Sequence, residues 1–212
     1  MPIISRNIPR QGAARLAGHL TELFREKRSS SKMPEMRLED LSHSEPHPVY
    51  YVPLNALADG KLLAAATHAS WRYLLVQDDA AVAEAELSVG RRRGAKGVAA
   101  KPLEFLGLTH GPFTAATVES LGAAERLPQV EAADYELRLL KVPAVYLAAL
   151  WLHGAKDDIL IPMGNPPGGL KKNKPYTEAA VIKALRGVVE QTKGFQDAYA
   201  ENQRKRRSRK KR

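Results

Sequence analysis

Residues 71–89 constrain the fold more than any other stretch of the sequence. Trp71-Arg72-Tyr73-Leu74-Leu75-Val76 is β-branched and aromatic and reads as a strand. Gln77-Asp78-Asp79 supplies turn residues. Val82 to Val89 then alternates, with Glu84, Glu86 and Ser88 against Ala83, Ala85, Leu87 and Val89. Two strands joined by so short a turn must pair antiparallel, with Glu84 and Glu86 expected on a solvent face. A second hairpin is expected across residues 153–158, with Trp151 and Leu152 near Ile159 and Ile161. Ala144 to Leu152 is continuously apolar and fits a buried strand or a short buried helix; the hairpin favours the strand. Tyr135 to Val142 alternates too, with Glu136, Arg138 and Lys141 expected mostly outward.

Around these strands the sequence predicts helices. Residues 10–28 are amphipathic, with Leu16, Leu20, Leu23 and Phe24 on one face. Asn55 caps an expected helix over Ala56 to His68, with Gly60 inside it. Pro112 to Leu127 reads as a helix stopped by Pro128. Thr177 offers the N-cap of a long helix whose face is Val181, Leu185, Val188, Thr192, Phe195 and Tyr199. The expected class is α+β, or mixed α/β: a mostly antiparallel sheet with two or three helices packed on one face. Three parts are expected: residues 1–47 as the N-terminal helix and a Ser/Pro/His-rich linker, 48–203 as one body, and 204–212 as a disordered basic tail.

Charge separates the ends from the middle. The formal net charge is +10, yet residues 204–212 alone hold eight Lys or Arg and no acid. Residues 1–37 hold eight basic and three acidic residues, which leaves the remainder with a small acidic excess. A basic cluster neutralises phosphates and releases counterions, giving salt-dependent binding without sequence choice. The leading functional reading is therefore a binding or assembly protein whose basic ends meet an anionic partner, either nucleic acid or an acidic protein surface. Its carriers are Arg204, Lys205, Arg206, Arg207, Arg209, Lys210, Lys211 and Arg212, and secondarily Arg91, Arg92, Arg93 and Lys96. The last four sit in Gly90 to Gly97, a Gly-rich basic loop. Its Gly spacing is wrong for a P-loop and no Ser or Thr follows Lys96, so it reads as a connecting loop.

Two other readings compete. Leu16, Leu20, Leu23 and Phe24 would bind a partner if exposed, making the chain an interaction module of a multi-component bacterial system. A small-molecule enzyme would use His110 or His153, the latter with Asp157 and Asp158 nearby. No Gly-x-Ser-x-Gly elbow supports a hydrolase triad, and no catalytic residue is assigned. His43 and His47 flank Glu45, but Pro46 and Pro48 keep them off a common helix face, and no metal or cofactor is expected. The absence of Cys excludes disulfides, thiolate chemistry and Cys-containing zinc sites, and suits a cytoplasmic protein, or a nuclear one in a eukaryote. The longest apolar run falls well short of the roughly 20 residues a spanning helix needs, so no membrane span is expected.

Overall fold

A computed structural model describes residues 3–25, 36–89 and 103–209, with side chains as far as Tyr199. In chain order these form β1 (Ile3–Ile4), α1 (Gly12–Arg25), β2 (Ser42–His43), β3 (His47–Tyr51), α2 (Leu54–Ala58) and β4 (Thr67–Gln77). They continue with β5 (Ala80–Ser88), β6 (Phe105–His110), α3 (Pro112–Glu125), α4 (Pro128–Ala132), β7 (Tyr135–Val142), β8 (Leu147–His153), β9 (Asp158–Pro162) and α5 (Glu178–Arg209). One mixed sheet runs β6-β5-β4-β3-β7-β8-β9, with β1 on β7 and β2 on β4. The class is α+β and the sheet is mostly antiparallel; β3 and β1 each run parallel to β7.

Both expected hairpins form. Asp78 and Asp79 take φ of 51° and 60°, and Gln77 pairs with Ala80. Two consecutive left-handed residues match the right-handed strand twist, and Asp tolerates that region better than most residues. The run from Ala144 resolves into a short 3-10 turn at Pro143–Val145, then β8, whose Trp151 and Leu152 pair with Leu160 and Ile159. Thr177 caps α5 by accepting the Ala180 N–H. Glu178 accepts the N–H groups of Leu62 and Leu63, which ties the first turn of α5 to the segment after α2.

Helices cover both faces, where the sequence reading placed them on one. The reason lies in β7, which buries Leu137 and Leu139 toward α3 and α4, and Leu140 and Val142 toward α2 and α5. A strand apolar on both sides needs two covering layers. α1 lies on the α5 side at the other end of the sheet. There Leu16 and Leu20 pack on Tyr73, Leu75 and Ala85. Its first turn sits so close that a Cβ on Gly12 would lie 2.0 Å from Tyr73 Oη. A chain of ring contacts, Trp71 to His68 to Tyr50 to Trp151, joins the two ends of this face.

One expected helix is shortened, and both ends show further structure. The helix expected over Ala56 to His68 ends at Ala58, because Gly60 turns the chain at φ +74° and β4 already begins at Thr67. Within the described part of residues 1–47, α1 stands in the expected helical stretch, β1 and β2 fill the column between β4 and β7 above β3, and Met36 is buried. The backbone of α5 stays helical through Arg209, inside the segment expected to be disordered from residue 204.

Candidate functional site

The α3 face of the sheet holds a buried charged cluster. Arg72 sits mid-strand on β4 with its side chain under α3, fully buried. Its Nη1 donates to Glu84 Oε2 at 3.0 Å and to Thr117 Oγ1 at 3.2 Å. Thr117 donates to the other Glu84 oxygen at 2.7 Å. Arg72 Nε donates to His47 Nε2 at 2.6 Å, which requires a neutral His47 with its proton on Nδ1. Burial pushes His47 well below its ordinary value of 6.5, and the Arg72 and Lys141 charges push it further down. Burial also lowers Arg72, against the opposing pull of Glu84.

Acid stability follows from that histidine. Above pH 6.5 His47 is neutral in both folded and unfolded chains, so its contribution is complete. Below 6.5 the unfolded chain takes up a proton that the folded one refuses, and stability falls by up to about 1.4 kcal/mol per pH unit. His68, also lowered mainly by burial, adds in the same direction. The urea midpoint is therefore expected to fall between pH 7 and pH 5. The fall should be shallower in His47→Gln, which keeps an acceptor for Arg72. An equally steep fall in that variant would remove His47 from the explanation.

Next to this cluster lies a second one that reaches solvent. Glu86 accepts Ser70 Oγ at 2.9 Å and pairs with the ammonium of Lys141 from β7. That ammonium lies 5.8 Å from the Tyr51 ring centre and 5.7 Å from that of Phe113, the second residue of α3. These groups border a cavity of about 370 Å³, with Glu84 and Glu86 on its wall and Tyr146 at its rim. Tyr146 is 89% exposed and holds φ of 55° in the turn between β7 and β8.

The sequence reading had Glu84, Glu86 and Lys141 facing water. The structure turns them inward, because α3 covers that face and each charge finds an opposite one on another strand. Glu136 and Arg138 turn inward on the opposite face. There the Arg138 guanidinium lies over Trp151 at 4.6 Å and over Tyr50 at 5.2 Å. One signal was present in the sequence: Arg72 is the lone charge in the otherwise apolar and aromatic run Trp71 to Val76. A charge there implies a buried partner.

Of the other nominated residues, one pair is brought together. His153 Nδ1 lies 2.7 Å from Asp158 Oδ1, which also accepts Trp151 Nε1–H, so the proposed turn does join His153 to an acid. His110 lies on β6, at the opposite end of the sheet order, and neither histidine borders the cavity. His43 is exposed on β2 while His47 is buried against Arg72, and no group of three metal-ligating side chains occurs among the described residues. Leu16 and Leu20 are in the core, and Leu23 and Phe24 are half-buried.

Arg204, Lys205, Arg206, Arg207 and Arg209 lie on the helical backbone of α5, whereas Lys210, Lys211, Arg212, Arg91, Arg92, Arg93 and Lys96 lie outside the described residues. Val181, Leu185 and Val189 bury the first part of α5. From Glu190 to Tyr199 every residue but Thr192 is exposed, including Phe195 at 77% and Tyr199 at 68%. Among the described residues no helix is long and apolar enough to cross a membrane. Comparison with protein-family models, curated proteins and solved structures finds no match to this chain.

Proposed function

We propose that this chain is a nucleic-acid-binding module in which the α+β body carries a basic helical arm. The observation that supports it is the continuity of α5. The helix is anchored in the core by Val181, Leu185 and Val189 and then runs from Glu190 to Arg209 away from that anchor. At 1.5 Å per residue this second part is about 30 Å long. It leads into the run Arg204 to Arg212, which carries eight positive charges and no negative one. Phe195 and Tyr199, four residues apart, share one exposed side of the helix just before that run. Aromatic side chains beside a basic track provide stacking surfaces for unpaired bases, while Lys and Arg neutralise phosphates. Phosphate neutralisation and base stacking read no base edges, so binding of this kind carries no sequence preference.

The interaction-module reading through α1 draws less support, because Leu16 and Leu20 already pack on the chain's own sheet. The enzyme reading would need His110 or His153 in a polar cavity, and neither borders the one at Glu84 and Glu86.

Fluorescence anisotropy with labelled single-stranded and duplex oligonucleotides tests the proposal. If about four phosphates are neutralised, affinity for duplex falls roughly a hundredfold between 50 and 200 mM salt. A chain ending at Gln203 is expected to lose most of the binding. Phe195→Ala with Tyr199→Ala should weaken single-strand binding more than duplex binding. Equal affinity of the shortened and full chains would overturn the proposal.

A further inference from the structure

The cavity at Glu84, Glu86 and Lys141 has no part in the arm's proposed role, and its chemistry points to a ligand of its own. Glu84 uses one oxygen on Arg72 and the other on Thr117; Glu86 uses one on Ser70 and the other on Lys141. Each carboxylate oxygen has two acceptor sites, and an ammonium has three donors. Two carboxylates with acceptor capacity therefore border the same space as an ammonium with donors to spare. With Arg72 behind Glu84, the charges balance. A ligand bearing one charge that opened the Lys141–Glu86 pair would compensate only one of the two partners. A zwitterion offers a counter-charge to each.

Two features separate this cavity from a mere dent over an ion pair. Its aromatic walls already hold a cation: the Lys141 ammonium sits within 6 Å of both the Tyr51 and Phe113 rings, the range in which ring faces attract ammonium groups. The rim residue Tyr146 keeps a left-handed φ of 55° with its ring almost wholly in solvent. A bulky residue held in that region costs free energy, about 1–2 kcal/mol, and the exposed ring returns little of it by burial. Such outliers cluster at ligand clamps. The volume of about 370 Å³ lies within the range of small-molecule sites.

We propose that the cavity binds a small zwitterionic ligand of the α-amino-acid class. Its ammonium replaces that of Lys141 on Glu86, within reach of Glu84, and its carboxylate takes the released Lys141. Its apolar side chain lies against Tyr51, Phe113 and Tyr146. Opening one internal ion pair and forming two with the ligand leaves no charge unpaired in a half-buried site, the condition under which such pairs are not penalised.

Isothermal titration of the full chain with each of the twenty common L-amino acids, then with analogues of the tightest binder, tests this. The analogues are the amine lacking the carboxylate and the acid lacking the ammonium. At least one amino acid is expected to bind with a Kd below about 1 mM, and each analogue at least tenfold more weakly. Glu86→Gln and Lys141→Met should each weaken binding at least tenfold. Tyr146→Gly removes the rim ring at a position whose backbone favours Gly, so it should weaken binding while the unfolding midpoint stays level or rises. No binding by any amino acid would overturn the proposal. So would equal binding of the amine, which makes the site a cation site, equal binding of the acid, which makes it an anion site, or undiminished binding by Tyr146→Gly. The readout is independent of the arm, so failure here and loss of nucleic-acid binding are separate results.

Discussion

Arg72→Met is expected to destabilise the protein by about 3–5 kcal/mol, because it leaves a buried carboxylate without its counter-charge. Glu84 is 2% exposed, and its remaining hydrogen bond would come from Thr117. His47 would lose its donor from Arg72 at the same time. The free energy lost belongs to the stranded charge rather than to the ion pair as such, and a second variant separates the two. Arg72→Met combined with Glu84→Leu puts apolar atoms in place of the whole pair, a replacement that elsewhere is often neutral or stabilising. Thr117, released from Glu84, would turn its hydroxyl proton to the carbonyl of Phe113. The double variant is therefore expected to recover most of the loss in urea unfolding. A double variant no more stable than the single one would mean that packing of Arg72, not its charge, sustains this face. The guanidinium has its own cost in the wild-type chain, since Nη2 finds no acceptor among the described residues.

Gly168→Ala should cost roughly 2–5 kcal/mol, from two sources that add. Gly168 holds φ of +69°, where a Cβ brings strain of about 1–2 kcal/mol. The new Cβ would also lie 2.4 Å from the backbone oxygen of Ala184 in α5, so either the loop or the helix must shift, at about 1–3 kcal/mol more. Gly169→Ala is the matched comparison. Its φ of +75° carries the same strain, but nothing lies within 4 Å of the new atom, so only the first part of the loss is expected. The difference between the two urea midpoints isolates the contact that seats α5 on the body, beside buried Leu170 and Leu185. Equal losses would mean that the loop does not hold the helix.

Local patterns carried the parts of this fold that depend on local physics. Alternation and the Asp78-Asp79 turn foretold the pairing of β4 with β5, and Thr177 marked the start of α5. What escaped was set by partners distant in sequence. β1 and β2 are two residues each, too short for any periodicity to register. Glu84 and Lys141 follow strand alternation but face inward, because the charges that compensate them stand on other strands. Alternation tells which residues share a face, not whether a helix will cover it. The same limit explains α1. Its apolar face was plain in Leu16 and Leu20, but whether that face met a partner or the chain's own sheet depended on Tyr73 and Ala85 lying beneath it. Of the buried cluster beside the cavity, only Arg72 carried a sequence signal, as a lone charge in an apolar run. The seating of α5 was legible at its capped end, while the loss of burial past Val189 was not, because it depends on what packs against the helix.

The position of β7 also decides when this chain can fold. Val49 waits for Leu139 and Ile3 for Tyr135, so the middle of the sheet cannot close until most of the sequence has been made. Until then β6, β5, β4 and β3 can pair among themselves, but the edge of β3 that β7 will cover stays open to any other strand it meets. Closing loops of that length before their contacts form places the protein among slow-folding topologies. A nascent chain halted before residue 135 would therefore hold one part of the sheet with its α1 core but not the cores that β7 and β8 complete, and the interval before β7 emerges is when it is most exposed to aggregation and proteolysis.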